Sequence, residues 1–233
     1  MKKQLCSFLC SILCILGTVP VFANTTGYYD DTFFSTPLPL LYQSEEKDCK
    51  IYGVKSSGVV VCFGEESKFF DWQWQNSIYE LPQVIFADFD EDKKEELCFI
   101  SNLYAGSGTS TRALHILDME QSDFETIWTE RTFTEETLKK QLEKQIAFYY
   151  ANHTITIKTN HQKRYAAIYP QEQMDNITLL YPELIVENQQ IKVIFSIGAF
   201  YGGRVIPDIL ENKIIAAIVY ENGGYQISQV QIQ

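Results

Sequence analysis

The sequence predicts an α+β fold, predominantly antiparallel β, with one amphipathic helix around residues 133–150. Three observations predict it. Short apolar or alternating segments recur through most of the chain, separated by Gly, Asn, Ser and Pro, as in an antiparallel meander. A single stretch carries its apolar residues at helical spacing, Leu138, Leu142, Ile146 and Tyr149. Between two late apolar runs, Asn222-Gly223 supplies the positive-φ residues that a tight hairpin requires.

The chain opens with Lys2 and Lys3, an apolar core, and Val21-Phe22-Ala23, which fits a small-residue cleavage site. Residues 1–23 therefore read as a cleavable export signal, and the product as secreted or associated with a cell wall. The apolar core is too short for a transmembrane anchor, and no later run reaches the roughly 18 apolar residues of a membrane span. Loss of two lysines and no acid would take the net charge from -11 to -13. Like charge repels nucleic acid and anionic membranes, so neither is expected as a partner. An acidic surface suits cations, and it also keeps a secreted protein soluble.

Three of the six cysteines leave with the signal, and Cys49, Cys62 and Cys98 remain. An odd number permits at most one internal disulfide. A hairpin turning at Ser56-Ser57-Gly58 would set Tyr52 opposite Cys62 and leave Cys49 about 10 Å further along, too far for a bond. Leu97 and Phe99 flank Cys98 and mark it as buried packing. No CxxC pair points to metal or redox chemistry.

Residues 24–47 read as an irregular N-terminal arm, and 48–233 as a single β-rich domain. Within it, 48–130 form a blade-like meander, with a KIYGV/VVVCF hairpin and strands at FFDWQW, QVIFA, ELCFIS, RALHIL and FETIWTE. Thr132 to Glu135 offers a capping box for the helix that follows, over 131–150. From 151 to 233 β patterning resumes in HTITIKT, RYAAIY, a hairpin turning about Glu187 to Gln190, and a last pair joined by Glu221-Asn222-Gly223-Gly224.

The most specific chemistry lies in DFDEDKKEEL. Asp88, Asp90, Asp92 and Glu96 stand at alternating or near-alternating positions between two apolar strands. Alternate residues of an extended turn converge on one point, so their oxygens, with the Lys94 carbonyl, would surround a hard cation. Four carboxylates in so short a segment also repel one another unless a cation or nearby lysines neutralise them.

The segment VIFADFDEDKKEELCFI resembles the calcium-binding blade motif of FG-GAP/VCBS (integrin-α-like) repeats, in which an apolar strand runs into DxDxDGxxD or DxDxDGxxE and a second strand leaves. The resemblance implies Ca2+ held by Asp88, Asp90, Asp92 and Glu96, with Lys94 as carbonyl donor. Lys93 departs from that motif, standing where glycine usually takes a left-handed conformation at a cost of about 1 kcal/mol for other residues. Beyond the loop, residues 80–233 are similar to secreted, uncharacterised proteins of Gram-positive bacteria that carry one such loop, a helix and two terminal hairpins. That likeness implies no agreed function.

Other candidates weigh less. Phe70, Trp72 and Trp74 would share one strand face; exposed, they could stack sugar rings, and buried, they are core. Gly106 to Thr111, GSGTST, lacks the following helix of a phosphate loop. His115, His153 and His161 show no zinc-ligand spacing, and Asp71, Glu80 and Asp118 have no distinguishing context. The expected protein is non-enzymatic: a secreted binding or structural protein with one calcium-stabilised loop and an unknown extracellular ligand, glycan or protein. The alternatives are a carbohydrate-binding module on the aromatic face and an extracellular polymer hydrolase.

Overall fold

The structure, a computed structural model, describes residues 38–55, 57–75, 81–106, 109–121, 126–167 and 173–233. The expected signal peptide, the first part of the N-terminal arm and Ser107-Gly108 of the Gly-rich connection lie outside the described residues.

The described chain is mostly antiparallel β, arranged in four sheets with one short helix. The first sheet runs β1-β2-β3-β4, from Leu40–Ser44, Cys49–Val54, Gly58–Phe63 and Glu66–Phe70. The second runs β5-β6-β7-β8, from Gln83–Ala87, Glu96–Gly106, Thr109–Gln121 and Thr126–Thr134. Helix α1, Glu135–Leu142, follows. The third sheet, ordered β11-β10-β9, is formed by β9 (Ile146–Ala151), β10 (Thr154–Thr159) and β11 (Lys163–Ala167). The fourth is β12-β13-β14-β15, from Met174–Glu187, Gln190–Tyr201, Asp208–Glu221 and Gly224–Ile232. Sequence neighbours thus pair throughout, which needs only short connections.

The described residues gather into two compact units, one drawn from those up to Val84, within Ser101–Leu103 and within Gln121–Ile127, the other from those within Ile85–Ile100, Tyr104–Glu120 and Trp128–Gln233. The second holds the larger core. There Leu138 and Leu142 of α1 join Ile155 and Ile157 of β10, alternate residues of β13 such as Val193 and Phe195, and Ile214 of β14. Each fully buried aliphatic contributes about 1.5–3 kcal/mol of transfer free energy, enough to commit one face of β10 and of β13 to the core.

Several sequence expectations are corrected. The arm is not irregular throughout, because Leu40–Ser44 pairs antiparallel with β2. The helix stops at Leu142 rather than near 150, and Ile146–Ala151 is a strand paired with β10. Ile146 satisfies both periods, but the aromatic run Phe148-Tyr149-Tyr150 fits a pleated surface better than a helix, and pairing with β10 decides it. The capping box lies two residues later than expected: the Thr137 N–H donates to Thr134 Oγ1 at 3.3 Å, and the Thr134 N–H donates to Thr137 Oγ1 at 2.8 Å.

The β2–β3 register also differs, with Tyr52 opposite Val60 and Lys50 opposite Cys62. Cys49 lies opposite Phe63, so the thiols of Cys49 and Cys62 leave the sheet on opposite faces. No disulfide joins them; Cys49, Cys62 and Cys98 are all buried thiols. Burial pushes Cys49 and Cys98 up to about 12, which leaves them inert at neutral pH. The two late hairpins form as expected, Glu187 pairing with Gln190 and Glu221 with Gly224. Asn222 and Gly223 turn at φ 54° and 78°. Among the described residues, no helix is long and apolar enough to cross a membrane.

Candidate metal centre

Strand β5 ends at Ala87, which joins the core with Phe89 just beyond it, and β6 resumes that core with Cys98 and Ile100. With both flanks anchored, the chain from Asp88 to Glu95 must turn tightly on itself. The turn holds its shape through its own carboxylates. Asp88 Oδ2 accepts from the Lys93 N–H at 3.0 Å, Asp90 Oδ1 from Asp92 N–H at 3.1 Å, and Asp92 Oδ1 from Lys94 N–H at 2.7 Å. Short Asp side chains bonding to backbone groups two residues on are a common way to stabilise such turns.

Lys93 adopts φ 74° and Glu91 φ 65°. The glycine-like conformation is therefore reached with a lysine in place, at the roughly 1 kcal/mol that a Cβ costs there. One carboxylate oxygen from each of Asp88, Asp90, Asp92 and Glu96 lies within 4.8 Å of the others. Two oxygens on one Ca2+ stand at most about twice the ~2.4 Å coordination distance apart, so this spread admits a single ion. The cluster could hold a metal ion, and its all-oxygen donor set fits a hard cation.

Glu96 is the buried member, 1 % exposed. Its Oε2 accepts from the Phe89 N–H at 2.6 Å and the Tyr225 hydroxyl at 3.3 Å. Burial raises its pKa to about 7, and the charges of Asp90 and Asp118 add to this against the two hydrogen bonds. Asp90 is raised, first by burial and then by Asp92 and Asp88. Burial also raises Tyr225, with the carboxylates of Glu96 and Asp90 behind it. Asp88 Oδ1 is buried with no hydrogen-bond partner. A buried carboxylate oxygen left so is costly, and coordination is one way to satisfy it.

Lys94, expected as a carbonyl donor, also brings its ammonium to 3.5 Å from Asp92 and 3.7 Å from Glu120. Those two acids raise its pKa, Asp92 most. Sequence reasoning missed the surroundings of the turn. Asp118 and Glu120 of β7 stand close enough to couple electrostatically with it, and Asp118 is raised by burial, then by Glu120, Asp90 and Asp92. No signal near residue 88 points to β7 or to Tyr225 on β15.

The aromatic candidates fall elsewhere. Phe70 ends β4, and Trp72 and Trp74 lie beyond it, 1 % and 3 % exposed. Phe70 and Trp72 stack at 4.5 Å between centroids, and Trp74 Nε1 donates to the Gly58 carbonyl at 3.1 Å. Its indole lies so close over Gly53 that a Cβ there would meet it at 2.2 Å. These rings are core and present no face on which a sugar could stack. His115 of β7 is buried, its Nδ1 at 2.9 Å from Thr132 Oγ1 and 3.3 Å from Glu130 Oε1.

No protein family, curated protein or solved structure matches the chain.

Proposed function

We propose that the β5–β6 turn is a calcium site in an exported, non-enzymatic binding or structural protein. Asp88, Asp90, Asp92 and Glu96 supply carboxylate ligands, and the Lys94 carbonyl completes the set. The observation that carries this reading is the convergence of four carboxylate oxygens within 4.8 Å, one of them from the buried Glu96.

The ion does no chemistry in this reading. It neutralises repulsion that the turn otherwise carries, occupies the lone pairs of Asp88 Oδ1, and fixes where β5 hands over to β6. Its effect is on stability by mass action: calcium at a hundred times its Kd adds about 2.7 kcal/mol. In a domain of this size that raises Tm by roughly 5–10 °C.

Titration calorimetry with Ca2+ and melting curves in Ca2+ and in EGTA test it directly. Expected are binding at millimolar calcium or below and a melt that EGTA lowers, with both effects lost in Asp90→Asn/Asp92→Asn. A flat titration and superimposed melts at millimolar calcium would sink the proposal.

A further inference from the structure

The chain has 30 acidic residues, yet none falls between Glu143 and Glu172. That interval carries Lys144, Lys158, Lys163 and Arg164 and contains the whole β9–β11 sheet. One face of this sheet is committed, with Ile155 and Ile157 fully buried in the core. The other face is open. Tyr149 and Tyr165 both register against Thr156, so the three side chains form one cross-strand row on the outer face. The rings are 56 % and 63 % exposed.

A second row lies beside the first. Lys158 registers directly against Lys163, both exposed, and the Lys163 ammonium lies 5.0 Å from the centre of the Tyr165 ring. Like charges directly opposed across two strands are destabilising. No acid among the described residues pairs with either lysine. In a protein of net charge -11 this face is a basic, aromatic exception.

We infer that the outer face of the β9–β11 sheet docks an acidic polysaccharide, Tyr149 and Tyr165 stacking on sugar rings while Lys158 and Lys163 receive its anionic groups. Charge complementarity selects an anion, since a bound carboxylate or sulfate relieves the Lys158–Lys163 repulsion. The ring spacing selects a sugar chain. Two strand spacings separate the tyrosines across β10, about 10 Å, the repeat of alternate rings in an extended β-linked polysaccharide and far more than the separation of successive stacked bases. Tyrosine gives such a platform a large amphipathic surface with little rotamer entropy to lose. The acidity of the remaining chain repels duplex nucleic acid and anionic bilayers, which are larger than the patch.

Binding is measured by affinity electrophoresis and calorimetry with hyaluronan and chondroitin sulfate oligosaccharides at low salt. EGTA is present, so that the outcome is independent of the calcium turn. Controls are neutral cellohexaose, oligothymidylate and phosphatidylglycerol vesicles. The expected result is salt-sensitive binding to at least one acidic oligosaccharide, weakened about tenfold or more by Tyr149→Ala or Tyr165→Ala. Lys158→Glu/Lys163→Glu should abolish it, with all variants melting as the parent does. Binding to neither acidic oligosaccharide would overturn the inference, as would undiminished binding by the lysine variant, equal affinity for cellohexaose, or tighter binding to oligothymidylate or vesicles.

Discussion

The β5–β6 turn brings four carboxylates within 4.8 Å of one another, whereas the outer face of the β9–β11 sheet spreads two lysines and two tyrosines over three strands. Both concentrate one sign of charge, but they dispose of it differently. The turn folds its charge inward, around a glutamate 1 % exposed, where water neutralises it poorly. The sheet face leaves its charge in solvent, where repulsion is screened and costs little. A converged, half-dry cluster suits a small ion at one point, while a dispersed, wet face suits an extended partner.

The largest effect that separates the two should come from Glu96. Glu96→Ala leaves the Phe89 N–H and Tyr225 hydroxyl without their acceptor and opens a hole beside them, and should cost about 2–4 kcal/mol in urea unfolding with EGTA present. Should the variant lose nothing, Glu96 would belong with the solvent-exposed charges.

Next in size is a pH effect. The Glu96 carboxyl is raised from its ordinary value of 4.5 to about 7. Folding therefore favours its protonated form, and that stabilisation is complete below about pH 4.5 and disappears as pH rises through 7. In EGTA, stability attributable to this group should fall between about pH 4.5 and 7. Saturating calcium favours the ionised form, so the gap between melts in calcium and in EGTA should widen over the same interval. A gap independent of pH would show that Glu96 does not meet the ion.

Lys93→Gly should act more weakly. It removes the Cβ from a residue at φ 74°, worth about 1 kcal/mol in the folded state, partly offset by greater freedom of the unfolded chain. Calorimetry should show calcium binding retained or tightened. Smallest of all, Lys158→Gln on the open face should shift stability by only a few tenths of a kcal/mol, upward as the facing repulsion goes. A loss above 1 kcal/mol would mean that this face is not a surface at all.

The turn was legible in the sequence because its carboxylates are neighbours: Asp88, Asp90, Asp92 and Glu96 fall in one segment, between strands that the apolar runs announce. Asn222-Gly223 was legible for the same local reason. What escaped reading depends on distant pairing. Ile146 suits the stripe of a helix and the buried face of a strand equally well, and only its partner β10 decides between them. The β2–β3 register turns on two residues of slip, invisible while Tyr52 and Lys50 both look acceptable opposite Cys62. Asp118 carries no local mark, and its place near the turn follows from the order β5-β6-β7.

Glu96 and the Tyr225 hydroxyl that donates to it are 129 residues apart. Closing so long a loop is slow, and β15 is the last strand of the sheet β12-β13-β14-β15. A chain emerging from its amino end would present the acidic turn to solvent well before Tyr225 arrives. On the proposed reading, an ion met at that stage would be held by the turn alone, and the groups around Glu96 would then close behind it. Retention would then follow assembly order: release of a captured ion would wait on the undocking of β15, and its residence time would outlast what the aspartates alone could provide.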